Sequence, residues 1–403
     1  MLILLGYRRL PVYREYLLAA VAREQQVWLF SDREPTWEQR YLAGHTVLDL
    51  ADEQALVAAA RPLRPAGLLT WDDTLVVQAA RVAQALGLPT SPPEAVLLCR
   101  DKHGTRRALA AAGVPQPGSV LVNSLPQARQ AATELGYPLV LKPRGLYASI
   151  GVVKVDTADQ LAGRFRVARG ARTGGTSEVP GADVLVEQYL DGPEISVDAA
   201  WLDGEPAVGF VARKQCDFPP YFEEVGHLVR GDDPLLHDRQ LLDVLRAAHA
   251  AVGYTTGWTH TELRLSADGP KVVEINARVG GDRIPDLARL ALGLDLGRAV
   301  AAAARGQRPD FEPTANRVAA IRFLYPDRDC ILRSVEIDTG ALPACVDSAL
   351  PVVLPGHELR LPPYGHIPGR YALITTVADT EAECLAGLDK AADAIRLNVL
   401  RPL

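Results

Sequence analysis

The first 95 residues alternate short apolar runs with stretches that carry helical spacing. Four apolar runs are predicted strands, at residues 2–5, 26–30, 47–50 and 67–71. Three intervening stretches are predicted helices, at residues 13–23, 53–60 and 75–86. Short strands separated by helices predict βαβ units and a parallel sheet. Two of the strands end in the polar pairs Ser31-Asp32 and Asp72-Asp73, at the sheet edge where open α/β folds bind ligands.

The first strand is not followed by a G-x-G-x-x-G sequence. That glycine pattern lets a backbone approach a pyrophosphate closely, so its absence argues against a dinucleotide site and against an NAD-dependent dehydrogenase. We therefore expect residues 1–95 to form a parallel-sheet domain that either shapes a substrate pocket or serves as a scaffold.

After a proline-rich linker at residues 89–93, the pattern becomes a mixture of helices, strands and hairpins. The predicted elements are a helix at 99–112, a strand at 119–122, a helix at 125–135, a strand at 139–142 and an Ala-rich helix at 288–305. Residues 170–181, rich in Gly, Ser and Thr, are predicted to form a mobile loop. Strands at 319–324 and 371–377 and a helix at 380–395 follow. The overall prediction is an α/β chain of three domains, at residues 1–95, 96–305 and 306–403, the last a small α+β unit.

Charge and cysteine usage exclude several classes of protein. The chain has 43 Lys and Arg against 49 Asp and Glu, a net charge of -6, with no concentrated basic face, which argues against a nucleic-acid partner. No stretch reaches the roughly 18 apolar residues of a membrane helix. The opening MLILLGYRRL lacks the basic leader of a secretory signal. Five scattered cysteines without a C-x-x-C pair indicate free thiols and no zinc site, so we expect a cytoplasmic protein with no membrane partner.

Lysine is scarce, which makes each lysine informative. Six of the 43 basic residues are Lys, at positions 102, 142, 154, 214, 271 and 390. A generic surface cation in this chain is therefore usually Arg.

The stretch THTELRLSADGPKVVEINARVGG carries the clearest chemical pattern. Two alternating runs flank Ala267-Asp268-Gly269, and a three-residue hairpin loop ending in Gly is a common connection. That loop would pair Ser266 with Pro270, and therefore Glu262 with Glu274. Like charges directly opposed across two strands repel one another. The hairpin therefore predicts a site that a cation would complete.

Asn276 extends the same pattern. The predicted register pairs it with His260 and places its side chain on the face that carries both glutamates. Three oxygen-bearing side chains on a rigid hairpin suit Mg²⁺. The alternative is a solvated sheet face on which Arg264 neutralises the carboxylates.

Two further segments have weaker signals. In PLVLKPRGLYASIGVVKV, a strand ends in Lys142 and a loop of small residues follows, which suits phosphate binding but is also an ordinary turn. In VLVEQYLDGPEISVDAAWLDGEP, a strand breaks at residues 187–190 and resumes after Gly192-Pro193. Such a hinge can offer backbone groups to a flat base, and it can equally be a plain linker.

Together, in this order and spacing, these segments resemble the ATP-grasp superfamily. The matching motifs are RDKHGTRRALAAAGVPQP with Lys102, VLKP with Lys142, EQYLDGPE at 187–194, ARKQ with Lys214, and EINAR. The resemblance covers roughly residues 101–293. Within the superfamily, the chain is similar to carboxylate–amine ligases of the L-amino acid ligase type. The resemblance implies an ATP-grasp fold whose two lobes hinge near residues 187–194, between a Rossmann-like domain and a C-terminal domain.

The resemblance also implies roles for individual residues. Phosphate groups would be bound by Lys102, Lys142 and the 144–151 loop with Ser149 and Gly151. Adenosine would be bound by Glu187, the backbone of Gln188, Tyr189 and Leu190, and Glu194 at the ribose. One or two Mg²⁺ ions, with Mn²⁺ as an alternative, would be bound by Glu262, Glu274 and Asn276. Catalytic roles would fall to Lys214 near the γ-phosphate, Arg278 at the substrate carboxylate and His227 at the amine.

Two of these assignments have structural alternatives. Arg278 follows Asn276 by two residues and is expected on the same strand face, where it could instead form an ion pair with Asp282 or Asp286. His227 could be purely structural, and Asp282 could recognise an amino group on the acid.

The implied reaction transfers the γ-phosphoryl group of ATP to a carboxylic acid, with an amino acid favoured, and an amine then displaces phosphate to form an amide. Other superfamily reactions of the carboxylase or purine-pathway type, and a nucleotide-binding module without catalysis, stay open. The partners are small-molecule acids and amines, and a homodimer is left open.

Overall fold

The computed structural model describes residues 1–6, 10–172, 179 and 183–403. The N-terminal region is a parallel sheet with the strand order β3-β2-β1-β4. Its elements are β1 (Leu2–Leu5), α1 (Pro11–Glu24), β2 (Val27–Ser31), β3 (Gly44–Val47), α2 (Glu53–Ala60), β4 (Gly67–Leu69) and α3 (Val76–Ala85). All four side chains of β1 are fully buried, which explains why its unbroken apolar run becomes the central strand. The predicted parallel sheet is confirmed.

The third predicted strand is displaced. The structure places β3 before residues 47–50 because the chain turns there: Asp49 accepts a hydrogen bond from the backbone N–H of Ala51. Asp52 then caps α2 by accepting from the N–H of Ala55.

The predicted helix at 99–112 is two helices, α4 (Pro93–Arg100) and α5 (Lys102–Ala111). Asp101 has an extended backbone that ends the first helix, and its carboxylate accepts from the N–H of His103 to cap the second. The break places Lys102 at the start of α5, and Lys102 lines the cleft described below.

A small antiparallel sheet with the order β5-β8-β6-β7 follows. Its elements are β5 (Ser119–Val122), α6 (Leu125–Leu135), β6 (Leu139–Pro143), β7 (Val153–Val155), α7 (Ala158–Gly170) and β8 (Val184–Gln188). Most of the loop predicted at residues 170–181 lies outside the described residues.

The rest of the chain builds a large antiparallel sheet and a three-stranded one. The helices are α8 (Arg239–Val252), α9 (Ile284–Leu292), α10 (Leu296–Ala304) and α11 (Glu381–Asp393). The strands are β9 (Glu194–Leu202), β10 (Glu205–Asp217), β11 (Glu223–Arg230), β12 (Gly257–Ser266), β13 (Gly269–Asn276), β14 (Val318–Leu324), β15 (Cys330–Ile337), β16 (Val346–Pro351), β17 (Glu358–Leu359), β18 (Ala372–Ala378) and β19 (Ile395–Pro402). The sheet orders are β13-β12-β9-β10-β11-β14-β18-β16 and β17-β15-β19.

Two features of this part differ from the pattern read in the sequence. The Ala-rich run at 288–305 is interrupted at Gly293, whose positive φ of 68° ends α9 before α10 begins. The C-terminal strands β14, β16 and β18 extend the same sheet that holds β12 and β13. The domain boundaries near residues 95 and 305 stay predictions, while the mixed α/β architecture is confirmed. In the described part of the chain, every helix is too short or too polar to cross a bilayer.

Candidate active site

A deep cleft lies where the small antiparallel sheet, the β12–β13 hairpin and helix α1 meet. It encloses about 1510 Å³ when the solvent at its mouth is included. Three predicted site residues, Gly151, Lys214 and His227, lie just behind its wall. The other twelve line it: Lys102, Lys142, Ser149, Glu187, Gln188, Tyr189, Leu190, Glu194, Glu262, Glu274, Asn276 and Arg278.

The β12–β13 hairpin has the predicted carboxylate pairing but a different turn. Glu262 lies opposite Glu274, and Asn276 lies opposite His260, as expected. Ser266, however, pairs with Gly269 rather than Pro270, so the loop has two residues instead of three. A register shift next to Glu262 offsets the error and restores the predicted pairs.

Each of the two opposed glutamates contacts a lysine. Lys102 Nζ lies 2.8 Å from Glu274 Oε1, and Lys214 Nζ lies 2.9 Å from Glu262 Oε2. Burial alone would raise the pKa of Glu274, but the charge of Lys102 outweighs burial and holds that pKa below its ordinary value. Burial keeps the pKa of Glu262 raised although Lys214 opposes it. The pair is therefore short of positive charge at Glu262, which suits a cation.

Asn276 completes this donor set, since its Nδ2 lies 3.5 Å from Glu262 Oε1. Two carboxylates and an amide oxygen on adjacent strands are the kind of oxygen ligands that Mg²⁺ takes. Arg264, proposed as the alternative neutralising group, instead contacts Glu194 at 2.8 Å.

Lys214 is the hub of a wider carboxylate cluster. Its ammonium lies 3.0 Å from Glu194, 2.7 Å from Glu224 and 2.9 Å from Glu262, and its side chain is only 2% exposed. Burial opposes the charged form, but the three carboxylates outweigh it and raise the pKa of Lys214 well above its ordinary value. The ammonium therefore stays charged and offsets part of the negative charge of a cluster that the sequence alone did not assemble.

Glu187 is held between two cations. Its carboxylate lies 2.7 Å from Lys142 Nζ and 2.7 Å from Arg106 Nε. Burial would raise its pKa, yet Arg106 and Lys142 together lower that pKa to about 2. Arg106 also donates to the carbonyl of Val273, so it ties the small sheet to the hairpin. The Glu187 carboxylate is engaged by protein groups, which leaves the neighbouring backbone as the better candidate for contacting a base.

The loop after β6 is anchored at both helix α5 and its cap. Arg144 donates to both carboxylate oxygens of Asp101, at 2.7 and 2.6 Å. Lys102 Nζ donates to the carbonyl of Leu146 at 2.5 Å. Ala148 and Ser149 both adopt positive φ, 53° each, a strained conformation for residues other than Gly. Strained loops of this kind cluster at ligand clamps, which agrees with the predicted phosphate role.

Aromatic and cationic side chains border the hinge end of the cleft. Tyr189 and Phe222 stack with ring centroids 6.3 Å apart and planes inclined by 27°. Lys154 Nζ lies 4.5 Å from the Tyr189 ring centroid, and Arg264 lies 5.6 Å from it. Phe222 and Arg264 were not assigned to a site from the sequence, because a lone aromatic or Arg carries no motif.

Arg278 is in the cleft but not on the predicted strand face. Strand β13 ends at Asn276, and the chain turns so that the N–H of Arg278 donates to the Asn276 carbonyl. Its guanidinium contacts neither Asp282 nor Asp286. Instead Nη2 lies 2.7 Å from an oxygen of Asp73, which follows β4 in the N-terminal region.

His227 lies between two carboxylates of the cleft wall. Its Nε2 is 3.3 Å from Glu224 and 3.5 Å from Asp282. Burial would lower the pKa of His227, but Asp282 and Glu224 outweigh burial and raise it. These three residues place one potential ligand atom each within 4.8 Å of one another. Their carboxylates are already neutralised, since Lys214 contacts Glu224 and Arg370 contacts Asp282 bidentately at 2.8 and 2.9 Å.

Arg370 was missed by sequence reasoning. It is 1% exposed, comes from the C-terminal part of the chain and lies with its guanidinium 3.8 Å from the Phe323 ring centroid. Nothing in an Arg-rich sequence singles it out. Glu224 could have been found, because it lies three residues before His227 in the FEEVGHLV segment.

Much of the sequence that builds this cleft matches a known family. A model described as the ATP-grasp domain matches residues 135–286. This stretch contains the loop after β6, the predicted hinge at residues 187–194 and the β12–β13 hairpin. Residues 135–286 therefore form an ATP-grasp domain within this chain. This matched stretch carries eleven of the twelve predicted site residues that line the cleft, including both opposed glutamates.

Two relatives and one solved structure are similar to this chain beyond the matched domain. The chain is 30% identical over 295 residues to the uncharacterized protein y4rH of Sinorhizobium fredii, and 28% identical over 271 residues to carnosine synthase 1 of Homo sapiens. These matches cover 72% and 63% of this chain, but 60% and 32% of the relatives, so the chain spans less than two thirds of either. The L-amino acid ligase structure from Bacillus licheniformis has the same fold, with a TM-score of 0.80, 21% identity and 99% coverage of both chains.

Proposed function

We propose that this protein is an ATP-dependent ligase that activates a carboxylic acid as an acyl phosphate and joins it to an amine, releasing ADP and phosphate. An amino acid is the favoured acid. The observation that carries the proposal is the convergence, in one cleft, of lysines suited to phosphates, opposed glutamates suited to a divalent cation, and a guanidinium suited to a carboxylate. Similarity to carnosine synthase 1 and to an L-amino acid ligase points in the same direction.

The chemical logic begins with the weakness of a carboxylate as an acyl donor. Phosphorylation converts the carboxylate oxygen into a leaving group, after which an amine attacks the carbonyl carbon and phosphate departs. Catalysis of phosphoryl transfer is mostly positioning and charge neutralisation, so no nucleophilic side chain is required.

On the nucleotide side, Lys102 and Lys142 would contact the α- and β-phosphates, and the loop with Ser149 and Gly151 would cover the triphosphate. In the structure, Lys102 contacts Glu274 and Lys142 contacts Glu187. Both ammonium groups would therefore exchange a carboxylate for a phosphate when ATP binds. The Gln188–Leu190 backbone would hold adenine and Glu194 the ribose.

Glu262, Glu274 and Asn276 are the residues we propose to hold one or two Mg²⁺ ions, with Mn²⁺ as an alternative. A bound divalent ion would neutralise charge on the phosphates. Lys214, which contacts Glu262, would assist near the γ-phosphate. Because Lys102 contacts Glu274 and would move to a phosphate when ATP binds, we expect metal and nucleotide to bind cooperatively.

On the substrate side, Arg278 would bind the acid's carboxylate, since a guanidinium matches a planar oxygen pair bidentately. The same group would then face the charged acyl phosphate. His227, between Glu224 and Asp282, would orient the attacking amine. Asp282 is already bound bidentately by Arg370, which weakens our expectation that it recognises an amino group.

A phosphate-release screen tests the proposal. ATP and Mg²⁺ are held constant while amino acids are offered singly and in pairs. Release that requires two amino acids supports amide formation between them, and mass spectrometry should find the dipeptide. Phosphate release that requires one amino acid and an amine of another class would identify that amine class as the acceptor. Nucleotide binding without release across a broad panel favours the non-catalytic module and overturns the proposal.

A further inference from the structure

Two adjacent aspartates at the carboxyl edge of the N-terminal sheet have different environments. Asp72 is bound within its own loop, where its Oδ1 accepts from the N–H and the hydroxyl of Thr74 at 3.0 and 2.7 Å. Asp73 is 2% exposed and reaches out of this region to Arg278, with 2.7 Å between Oδ2 and Nη2. Arg100 lies further off, 3.8 Å from the other oxygen. The second aspartate therefore links the N-terminal region to the residue proposed to bind the acid.

The Arg278 guanidinium is held at two of its nitrogens. Nη2 contacts Asp73, and Nη1 donates to the backbone carbonyl of Val279 at 2.8 Å. A guanidinium has five N–H donors in a fixed plane. Two contacts are enough to fix that plane while N–H groups remain for an incoming carboxylate.

A second contact from the N-terminal region holds the same segment. Arg14 on α1 is 2% exposed, and its Nη1 donates to the carbonyl of Gly280 at 2.8 Å. The segment that follows β13 is thus held at Arg278 by one N-terminal element and at Gly280 by another. Arg14, Asp73 and Arg278 all line the cleft.

We propose that Asp73 is a positioning residue: its carboxylate sets the orientation of the Arg278 guanidinium toward the substrate acid, so the N-terminal region takes part in the reaction. This inference rests on the proposed function. A merely stabilising role explains the contact less well, because a buried ion pair is often no more stabilising than well-packed apolar residues. What the pair supplies is a fixed direction for a group that would otherwise have many rotamers.

Steady-state kinetics of Asp73→Ala, Asp73→Asn, Arg278→Met and the Asp73→Ala/Arg278→Met double variant test the proposal. We expect Asp73→Ala to lower kcat about 10- to 100-fold, as misplacement of a catalytic group by about 1 Å does. The KM for ATP should stay within about twofold of the wild-type value, because the nucleotide contacts are elsewhere. Asp73→Asn, which keeps an acceptor oxygen, should retain more activity than Asp73→Ala.

The double variant separates positioning from general damage. If Asp73 acts through Arg278, removing it adds little once Arg278 is gone, so the two effects are not additive. Asp233→Ala is the matched control, since Asp233 is 1% exposed and contacts Arg213 at 3.0 Å outside the cleft lining. It should lower the melting temperature and leave kcat unchanged.

A wild-type kcat in Asp73→Ala, or an equal loss in both backgrounds, would overturn the positioning role while leaving the ligase proposal standing. Failure of the wild-type protein itself to turn over would instead overturn the proposed function. A crystal structure of Asp73→Ala decides the matter in either case: we expect the Arg278 guanidinium to leave its present place, and its retention there would refute the inference.

Discussion

The two sides of the cleft differ in whether lysine contacts their carboxylates. On the proposed nucleotide side lysines do so, in the pairs Lys102–Glu274, Lys142–Glu187 and Lys214–Glu262, and Arg106 and Arg264 add contacts to Glu187 and Glu194. On the substrate side the contacts come from arginine, in the pairs Arg278–Asp73 and Arg370–Asp282. An ammonium on a flexible stem is a point charge that can move from a carboxylate to a phosphate, whereas a guanidinium fixes orientation. The lysine side is therefore suited to exchange of partners, and the arginine side to a rigid frame.

Composition sharpens this comparison. Six residues of the whole chain are Lys, and three of them hold carboxylates at this cleft. Their placement is thus not the background usage of this chain, which prefers Arg for a surface cation. We infer that movable ammonium groups are needed where phosphates are bound.

Removing a carboxylate from the lysine side should have the largest effect on turnover. We expect Glu274→Ala to lower kcat roughly 1000-fold or more, since a bound divalent ion supplies several kcal/mol of charge stabilisation. Phosphate release at increasing Mg²⁺ measures it. Asp268→Ala, at the exposed hairpin tip, should behave like wild type. Near-normal turnover of Glu274→Ala in a folded protein would rule out the metal assignment.

Removing the central lysine should damage folding as well as turnover. Lys214→Met leaves three carboxylates without their common cation, and breaking a buried ion pair by deleting one partner costs about 3–5 kcal/mol. Urea denaturation measures the loss, and added Mg²⁺ should restore part of it if Glu262 binds the ion. Lys154→Met is the control, because its pair with exposed Asp156 should contribute at most about 1 kcal/mol. Equal stability of Lys214→Met and wild type would contradict the stabilising role of Lys214 in the carboxylate cluster.

Sequence reasoning reached the lysine side much better than the arginine side. The opposed glutamates and Asn276 were predictable because strand periodicity and a short turn fix which residues face each other. The register survived a wrong loop length only because a bulge beside Glu262 offset it, and no pattern in the sequence predicts that bulge.

The arginine side depends on contacts between distant parts of the chain. Asp73 was visible only as a polar residue at a strand end, and Arg370 as one of many arginines. Their partners are set by how the N-terminal and C-terminal elements pack on the central sheet, which single-sequence periodicity does not report. The same limit explains why Arg278 was expected on the β13 face although the strand ends before it.

The free energy of unfolding at acid pH should test another contact of the lysine side, Lys142–Glu187, with a smaller expected effect. The folded pKa of Glu187, about 2, lies below its ordinary value of 4.5. Its contribution is therefore present above pH 4.5 and is lost as pH falls toward 2. Between pH 5 and pH 2, the stability advantage of wild type over Glu187→Gln should shrink by on the order of 3 kcal/mol. A constant difference for Glu187→Gln would contradict the buried pairing with Arg106 and Lys142.

The smallest effect on stability should come from His227. It can be compared with a second buried histidine, His249, whose pKa is shifted in the opposite direction. The pKa of His227 is raised because Asp282 and Glu224 outweigh burial, whereas burial lowers the pKa of His249 to about 3. The stabilising contribution of His227 is then complete below pH 6.5 and is lost as pH rises through its raised value. Each unit of pKa shift is worth about 1.4 kcal/mol. Urea denaturation from pH 6 to 9 should therefore show the deficit of His227→Gln falling with pH.

His249→Gln is the matched control for that measurement. A buried neutral imidazole gains no proton above pH 7, so its deficit should stay constant from pH 7 to 9. A flat profile for His227→Gln would mean that Glu224 and Asp282 do not hold its charge. A falling profile has a consequence for the chemistry: an imidazole already protonated near neutral pH is a poor acceptor for the amine's proton. His227 would then orient the amine, and the proton would leave by another route.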